Sequence, residues 1–280
     1  MKELTSKKLD RILIAAAVLG LVCGGVRGLQ LNTFDEKNLP TGNGILDIVL
    51  WAALALCVAA AFGVWFAVKK AAIAPGESSP GMGERLFSLG GAVFFGLGAA
   101  LRLAMSYRPF SVWGVLLALI CIAVAAAIPV AGNTLGNGAS PSRGEKLISL
   151  VPVMASVVLM IELYRGVSRN PTVSWYAADV FAMAAVILVF FAVAGDAVGR
   201  TGPAKVVATA FAAVSLGLCA AVGRAVRLAS DLISGGSPAD LVCAESFQLL
   251  LFAGAVLFAV GAAKAVVRRG GRMPGEEQEN

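Results

Sequence analysis

The chain has 280 residues, of which 58% are hydrophobic and only 14% are charged, and its formal net charge is +6. Apolar stretches of roughly 20 residues recur, each long enough to cross a hydrocarbon core of about 30 Å, which excludes an ordinary soluble domain. The sequence contains no histidine, and this excludes His-ligated haem or zinc, Ser-His-Asp triads and histidine proton relays.

Eight apolar segments follow one another along the chain, and we interpret them as membrane-spanning helices. They cover residues 11–31, 45–68, 86–106, 112–130, 147–163, 173–194, 206–222 and 241–267. The longest connection, 69–85, is rich in proline and glycine, as expected of a loop. The sequence therefore predicts an all-α, polytopic membrane bundle, with one transmembrane domain over 1–267 and a disordered cytoplasmic tail over 268–280.

The basic residues are distributed unevenly between the two sides of the predicted bundle. With the N-terminus placed in the cytoplasm, most of the 23 Lys and Arg residues fall in cytoplasmic segments, including every lysine except Lys37. This positive-inside distribution predicts a multi-pass protein of the plasma (inner) membrane with both termini in the cytoplasm. It also explains the net positive charge without a nucleic-acid partner.

An internal repeat is visible in the loops and helix starts. Residues 79–89 match residues 140–150 at an offset of 61, and an offset of 59 carries Arg165 onto Arg224. Shared composition of Ala- and Gly-rich hairpins is the alternative explanation. We predict four helical hairpins of similar orientation, because each contains an even number of crossings. They span approximately 9–70, 84–132, 145–198 and 204–267.

Ionisable residues recur near the outer ends of the predicted spans. Each odd-numbered segment carries an arginine near its C-terminal end: Arg27, Arg102, Arg165 and Arg224. Acids lie at matching heights, with Glu162 in the fifth segment and Asp47, Asp179 and Glu245 near the starts of even-numbered ones. Ionisable groups at membrane depth are costly and are therefore anchored, paired or functional. We predict one charged layer in the outer half of the bundle.

Small residues indicate which way three of the arginines point, because small side chains mark close helix contacts in membranes. The fifth segment differs, since Met154, Val158 and Ile161 share the face of Arg165. The other odd segments carry small residues on the face of their arginine. These are Gly20, Gly24 and Gly28 beside Arg27 on the first segment, Gly91 and Gly98 with Arg102 on the third, and Ala213, Gly217 and Ala220 with Arg224 on the seventh.

The charged layer allows three interpretations. In the first, the arginines reach the headgroups, which we expect of Arg108, Arg169 and Arg227. In the second, they form structural pairs, such as Arg165 with Glu162 and Arg227 with Asp231. In the third, they line a pocket for a polar or anionic solute, since guanidinium groups bind carboxylate and phosphate bidentately. Asp179 is of particular interest, because it lies about two turns into its segment without a cation in the same helix.

Other polar and special residues have simpler expected roles. The five cysteines lie in or beside apolar segments and are interpreted as small packing residues. Pro129 kinks or ends the fourth helix. Gln248, deep in the eighth segment, is expected to bond to a neighbouring helix, and Trp113 stands in the fourth segment where an acid is missing.

Two functions follow from the charged layer. The first is binding or transport of a small polar or anionic solute by Arg27, Arg102, Arg165, Arg224, Asp47, Asp179 and Glu245, with no cofactor. The alternative is a non-transporting scaffold or subunit, with the lipid bilayer and membrane proteins or a second copy as partners. An intramembrane enzyme is the third alternative. A pocket requires Arg102 and Asp179 to face the interior beside a cavity, whereas a scaffold requires paired charges and a filled interior.

Overall fold

The computed structural model describes residues 3–33, 44–73, 81–107, 110–136, 141–167, 176–234 and 239–270. Within these ranges the chain is almost entirely helical. The elements are β1 Glu3–Leu4, α1 Ser6–Leu31, α2 Ile45–Lys69, β2 Ala72–Ile73, α3 Met82–Tyr107, α4 Val112–Gly136, α5 Arg143–Ile148, α6 Val151–Val167, α7 Ala177–Ala197, α8 Pro203–Ser234 and α9 Ala239–Arg268.

Eight stretches of the described chain are long and apolar enough to cross a membrane, with α5 and α6 together forming the fifth. Helices suit this environment because they satisfy their own backbone hydrogen bonds, which water cannot do in the hydrocarbon core. Large apolar side chains such as Ile14, Ile48 and Phe62 are exposed on the outer surface of the bundle, where lipid would contact them. The prediction of an all-α, multi-pass membrane bundle is confirmed.

Helices alternate in direction through the bundle. The short strands β1 and β2 pair in parallel, with Glu3 opposite Ala72, and this brings the start of α1 and the end of α2 together. At the other end, the C-terminal parts of α1, α3, α6 and α8 lie beside the N-terminal parts of α2, α4, α7 and α9, where ion pairs and hydrogen bonds join them. We call this the arginine end, and the opposite one the lysine end.

Helices α8 and α9 form the centre of the bundle. In the most apolar window of each span, 83% of residues are buried for α8 and 72% for α9, against 17% for α2. Helix α8 packs against α1, α2, α7 and α9, while α9 packs against α3, α4 and α8. The last hairpin is therefore the core around which earlier helices assemble, and α2 lies at the edge.

The glycine strip of α1 faces α8, as its spacing predicted. The backbones approach so closely that a side chain cannot be accommodated without movement, which is the usual reason for small residues at membrane helix contacts. A methyl group added at Gly20 would lie 2.6 Å from the Ser215 carbonyl oxygen. One added at Gly24 would lie 2.6 Å from Val222 Cβ, and one added at Gly28 would lie 2.6 Å from Val226 Cβ.

Small residues also bring α3 and α8 against α9. A methyl group at Gly91 of α3 would lie 2.9 Å from the Gly254 carbonyl oxygen, and one at Gly217 of α8 would lie 2.8 Å from the Val256 side chain. Gly98 faces the same helix with a looser contact of 3.7 Å. The faces that carry Arg102 and Arg224 therefore point toward a neighbouring helix, as predicted, and the structure identifies that helix as α9.

Two prolines lie within the fourth and fifth predicted spans. The fifth span is broken between Ile148 and Val151, whereas the sequence predicted one helix over 147–163. Pro152 explains the break, because it lacks the N–H that would continue the helix of α5 but is tolerated in the first turn of α6. Pro129 does not end α4, which continues through it to Gly136.

The repeated segments begin with the same local contact. The backbone N–H of Ser142 donates to Glu145 at 2.8 Å, and the backbone N–H of Gly81 donates to Glu84, at the position 61 residues earlier. Ser142 and Glu145 form a complete capping box, which satisfies N–H groups left open at a helix start. The duplication of hairpins remains a prediction, and this equivalence is consistent with it.

Candidate functional site

Six polar residues from five helices meet at the arginine end. We call this set the central charge cluster, and it comprises Arg27 and Gln30 of α1, Asp47 of α2, Asp179 of α7, Arg224 of α8 and Glu245 of α9. The close α1–α8 contact positions the two arginines beside each other. Gly223 makes room for Arg27, whose Cβ and Cγ occupy the space that a side chain at that position would need.

Asp179 lies between the two arginines. Arg224 donates to it twice, from Nε to Oδ1 at 3.1 Å and from Nη2 to Oδ2 at 2.9 Å, and Arg27 Nη2 donates to Oδ2 at 3.3 Å. Bidentate geometry is the strongest form of the guanidinium–carboxylate contact. The sequence interpretation was wrong on position: α7 begins at Ala177, so Asp179 lies in the first turn.

The network extends outward on both sides of Asp179. Arg224 Nη1 donates to Glu245 Oε2 on α9, and Arg27 Nη1 donates to Gln30 Oε1 one turn later on α1. Gln30 Nε2 then donates to Asp47 Oδ1 at 2.5 Å. A continuous chain of hydrogen bonds therefore runs from Asp47 to Glu245, through two guanidinium groups and one amide.

The cluster is buried for most of its length. The exposed fraction is 0% for Asp179 and Gln30, 1% for Arg27, 6% for Glu245 and 9% for Arg224, while Asp47 is half-buried. The cluster contains two guanidinium groups and three carboxylates, so it carries no excess of positive charge. Burial of a charged group is tolerated when it is paired and hydrogen-bonded, which holds for both arginines here.

A second group of charges lies between α3, α4 and α6, and we call it the rim cluster. Glu162 accepts a hydrogen bond from Arg102 Nη2 at 3.2 Å and one from Trp113 Nε1 at 2.6 Å, and Arg165 Nη1 lies 3.9 Å away. Trp113 thus supplies a donor where the sequence suggested a missing acid. The predicted Arg165–Glu162 pair is present, with the Arg165 side chain 67% exposed.

Aromatic rings support both arginines of the rim cluster. The Arg102 guanidinium lies 5.5 Å from the Phe247 ring centre, and that of Arg165 lies 5.5 Å from the Trp113 ring centre. Guanidinium groups are attracted to the faces of aromatic rings at such distances. Among the described residues, buried Arg102 Nε has no hydrogen-bond partner.

The predicted single layer is therefore divided. Arg27, Asp47, Asp179, Arg224 and Glu245 meet in the central charge cluster, whereas Arg102 and Arg165 belong to the rim cluster. Asp179 faces the bundle interior as expected, and the Arg102 side chain is 20% exposed. Arg108 and Arg169 lie outside the described residues, as does the Asp231 side chain, whereas Arg227 Nη1 donates to the Leu31 carbonyl oxygen at 3.4 Å.

Sequence reasoning missed a buried pair at the lysine end. Arg269 Nη2 donates to Asp196 Oδ1 at 3.0 Å, and their exposed fractions are 5% and 0%. Asp196 near the end of an apolar segment was the available signal, as an acid at membrane depth needs a partner. Arg268 ends α9 and lies 3.5 Å from Glu84, so the described chain is ordered past Val267, while residues 271–280 lie outside the description.

Two further polar groups behave unexpectedly. Gln248 Oε1 is buried without a hydrogen-bond partner among the described residues, although a bond to a neighbouring helix was predicted. Gln30, which the sequence interpretation left out, joins Arg27 to Asp47. Its position one turn after Arg27 on α1 was the signal that placed it on the same face.

The described side chains contain no group of three or more Cys, Asp and Glu residues arranged to hold a metal ion. The buried thiols of Cys23 and Cys57 lie 3.8 Å apart between α1 and α2, a packing contact within the apolar core. The charged clusters can therefore bind helices to one another or bind an anion through guanidinium groups. We find no match between this chain and any protein-family model, curated protein or solved structure.

Proposed function

We propose that the chain is a non-transporting scaffold or subunit of a membrane assembly, in which the central charge cluster fastens five helices together. The supporting observation is that Asp179 is fully buried and accepts hydrogen bonds from two buried arginines on different helices. A solute site needs guanidinium donors that face a cavity. Here the donors of Arg224 are directed to Asp179 and Glu245 instead.

A replacement of the Arg224–Glu245 pair tests the structural role. Arg224→Met alone leaves Glu245 without its cation, whereas Arg224→Met with Glu245→Leu removes both charges and keeps Arg27 with Asp179. Removal of one partner of a buried pair is costly because it leaves the other charge uncompensated, and removal of both charges avoids that part of the cost. We expect the double variant to fold better than Arg224→Met. A double variant less stable than both single variants would contradict a structural role.

Membership of an assembly is tested directly in native membranes. After solubilisation in a mild detergent, the chain is expected to migrate on a native gel as a complex larger than its own micelle. The Arg224→Met, Glu245→Leu variant should keep that migration, because its change lies inside the bundle. Migration as a single chain under all mild conditions would overturn the scaffold proposal.

A second candidate function is supported by the rim cluster, where buried Arg102 Nε has no acceptor in the part of the chain that the structure describes. In this alternative, Arg102 binds a small anionic solute from the arginine end. Thermal-shift screening with carboxylates, phosphates, amino acids and nucleosides tests it. Stabilisation should be lost in Arg102→Lys, which keeps the charge but removes the guanidinium, and retained in Arg165→Gln. No stabilisation of the wild-type chain would end this candidate.

We further propose that the chain lies in a plasma (inner) membrane with its lysine end facing the cytoplasm. The support is that Lys7, Lys69, Lys205 and Lys264 lie at the same end of the bundle, as the positive-inside rule expects. A fluorescent protein fused after Asn280 should mature in the cytoplasm, and a phosphatase at the same position should be inactive. An active phosphatase fusion would reverse the orientation.

A further inference from the structure

An apolar groove opens on the outer surface between α2, α7 and α8. Its volume is about 540 Å³, within the range of about 300–1,000 Å³ that ligand sites occupy. Small residues, including Ala184, Ala208 and Ala212, form part of its lining. Aromatic side chains stand around them, among them Phe62, Trp65 and Phe191. Small and aromatic side chains together give the groove its depth.

The groove runs along much of α7 and along the first half of α8. On α7 its lining runs from Phe181 to Ala192, and on α8 it runs from Lys205 to Leu216. Each stretch advances about eleven residue steps along its helix, which corresponds to an axial length of about 16 Å. This is close to half of a hydrocarbon core about 30 Å thick. The α8 lining begins near the lysine end at Lys205, whereas the α7 lining begins at Phe181, two residues after Asp179 of the arginine end.

The lysine end of the groove is polar and basic. Lys205 belongs to the lining and is exposed, and Lys69 Nζ lies 5.3 Å from the ring centre of Trp65, which also lines the groove. The hydroxyl groups of Thr201 and Thr209 donate to backbone carbonyl oxygens. Tryptophan and lysine are typical of the depth at which lipid headgroups begin.

We propose that this groove binds one anionic phospholipid, with an acyl chain along α7 and α8 and the phosphate near Lys205 and Lys69. An apolar groove within a membrane span is filled by hydrocarbon rather than water. The two lysines at one end select a negatively charged headgroup, because basic residues at the membrane surface attract anionic lipids. This site is separate from both charged clusters and does not depend on the scaffold proposal.

Lipid retention tests the headgroup part of the proposal. The full chain is purified in detergent, titrated with phosphatidylglycerol or phosphatidylcholine, and analysed by native mass spectrometry. The wild-type chain should retain one phosphatidylglycerol preferentially. Lys69→Gln with Lys205→Gln should reduce that preference on the order of tenfold, as expected for the loss of two interfacial charges. Lys7→Gln, which removes an exposed lysine outside the groove lining, should leave the preference unchanged.

Filling the groove tests the acyl-chain part. Ala184→Phe places a ring in the lining and should reduce retention of both lipids, without the charge dependence seen for the lysine variants. Equal retention of both lipids by the wild-type chain would overturn the proposal, as would preference unaffected by the double lysine change. If Ala184→Phe disrupts a dimer and leaves lipid retention unchanged, the groove is a protein interface and the lipid proposal is wrong.

Discussion

Asp179 of α7 and Arg224 of α8 form a two-point pair, with Oδ1 accepting from Nε at 3.1 Å and Oδ2 accepting from Nη2 at 2.9 Å. Arg27 of α1 donates to the same carboxylate at 3.3 Å, so one acid holds two cations from different helices. Because α8 lies at the centre of the bundle, the Asp179 carboxylate links α7 and α1 to the core. It is the contact whose loss should affect the fold most.

Asp179→Asn should destabilise the protein strongly. The amide keeps the size of the side chain but leaves two buried guanidinium groups facing a neutral group, and breaking a buried pair of this kind costs about 3–5 kcal/mol. Glu245→Gln should cost less, because Arg224 keeps Asp179. Thermal unfolding in detergent compares the two variants with the wild type. Equal melting temperatures for both variants would contradict the central position of Asp179.

Adjacent glycines of α1 should respond oppositely to the same substitution. A methyl group at Gly24 would meet Val222 Cβ at 2.6 Å, so Gly24→Ala should separate α1 from α8 and lower the melting temperature. Gly25 has nothing within 4 Å of such a methyl group. Gly25→Ala should be neutral or stabilising by up to about 1 kcal/mol, since alanine favours helix. Similar decreases in melting temperature for both variants would contradict the close α1–α8 contact at Gly24.

Two aspartates of the lysine end should differ in importance. Asp196→Asn leaves Arg269 buried with a neutral partner, and we expect a loss of several kcal/mol, on the order of that for a broken buried pair. Asp10 pairs with Lys264 at 3.0 Å, but these side chains are 44% and 33% exposed. Asp10→Asn should therefore cost about 0–1 kcal/mol. Thermal unfolding distinguishes the two, and a larger effect of Asp10→Asn would refute this ranking.

Coupling energies should rank the two arginines of the rim cluster. Arg102 lies 3.2 Å from Glu162 with both side chains mostly buried, while Arg165 lies 3.9 Å away and is largely exposed. A double-mutant cycle between Arg102→Ala and Glu162→Ala should give at least about 1 kcal/mol, and the cycle with Arg165→Ala about 0.2–0.5 kcal/mol. The reverse order would show that Arg165 is the main partner of Glu162.

Much of the architecture was predictable because membrane spans obey a strong local rule. Each crossing must be apolar over its whole length, so eight segments stood out without knowledge of their neighbours. Small-residue spacing likewise indicated the faces of Gly24 and Gly91, since periodicity along one helix is visible in one sequence. The interruption at Ser149 and Leu150 was missed, because apolar residues continue through it and Pro152 was not weighed.

The charged groups were identified by type but not assigned to partners. Arg27 and Asp179 are separated by 152 residues, and nothing in the sequence says which arginine an acid will meet. A single charged layer was expected, but the structure has two clusters. The reason is that α8 and α9 occupy the centre of the bundle, and α1, α2 and α7 pack on one side of them. The Asp196–Arg269 pair depended on the same packing.

The sequence by itself determined that this protein crosses the membrane eight times and that costly charges lie near the ends of its helices, because hydrophobic length and helical periodicity are local properties. Only the tertiary structure decided that Asp179 joins Arg27 to Arg224 and that Trp113 donates a hydrogen bond to Glu162. It also decided that α2, α7 and α8 leave an apolar groove between them. Such contacts arise from the relative placement of helices that are distant in sequence. Close backbone approach at a few glycines sets that placement.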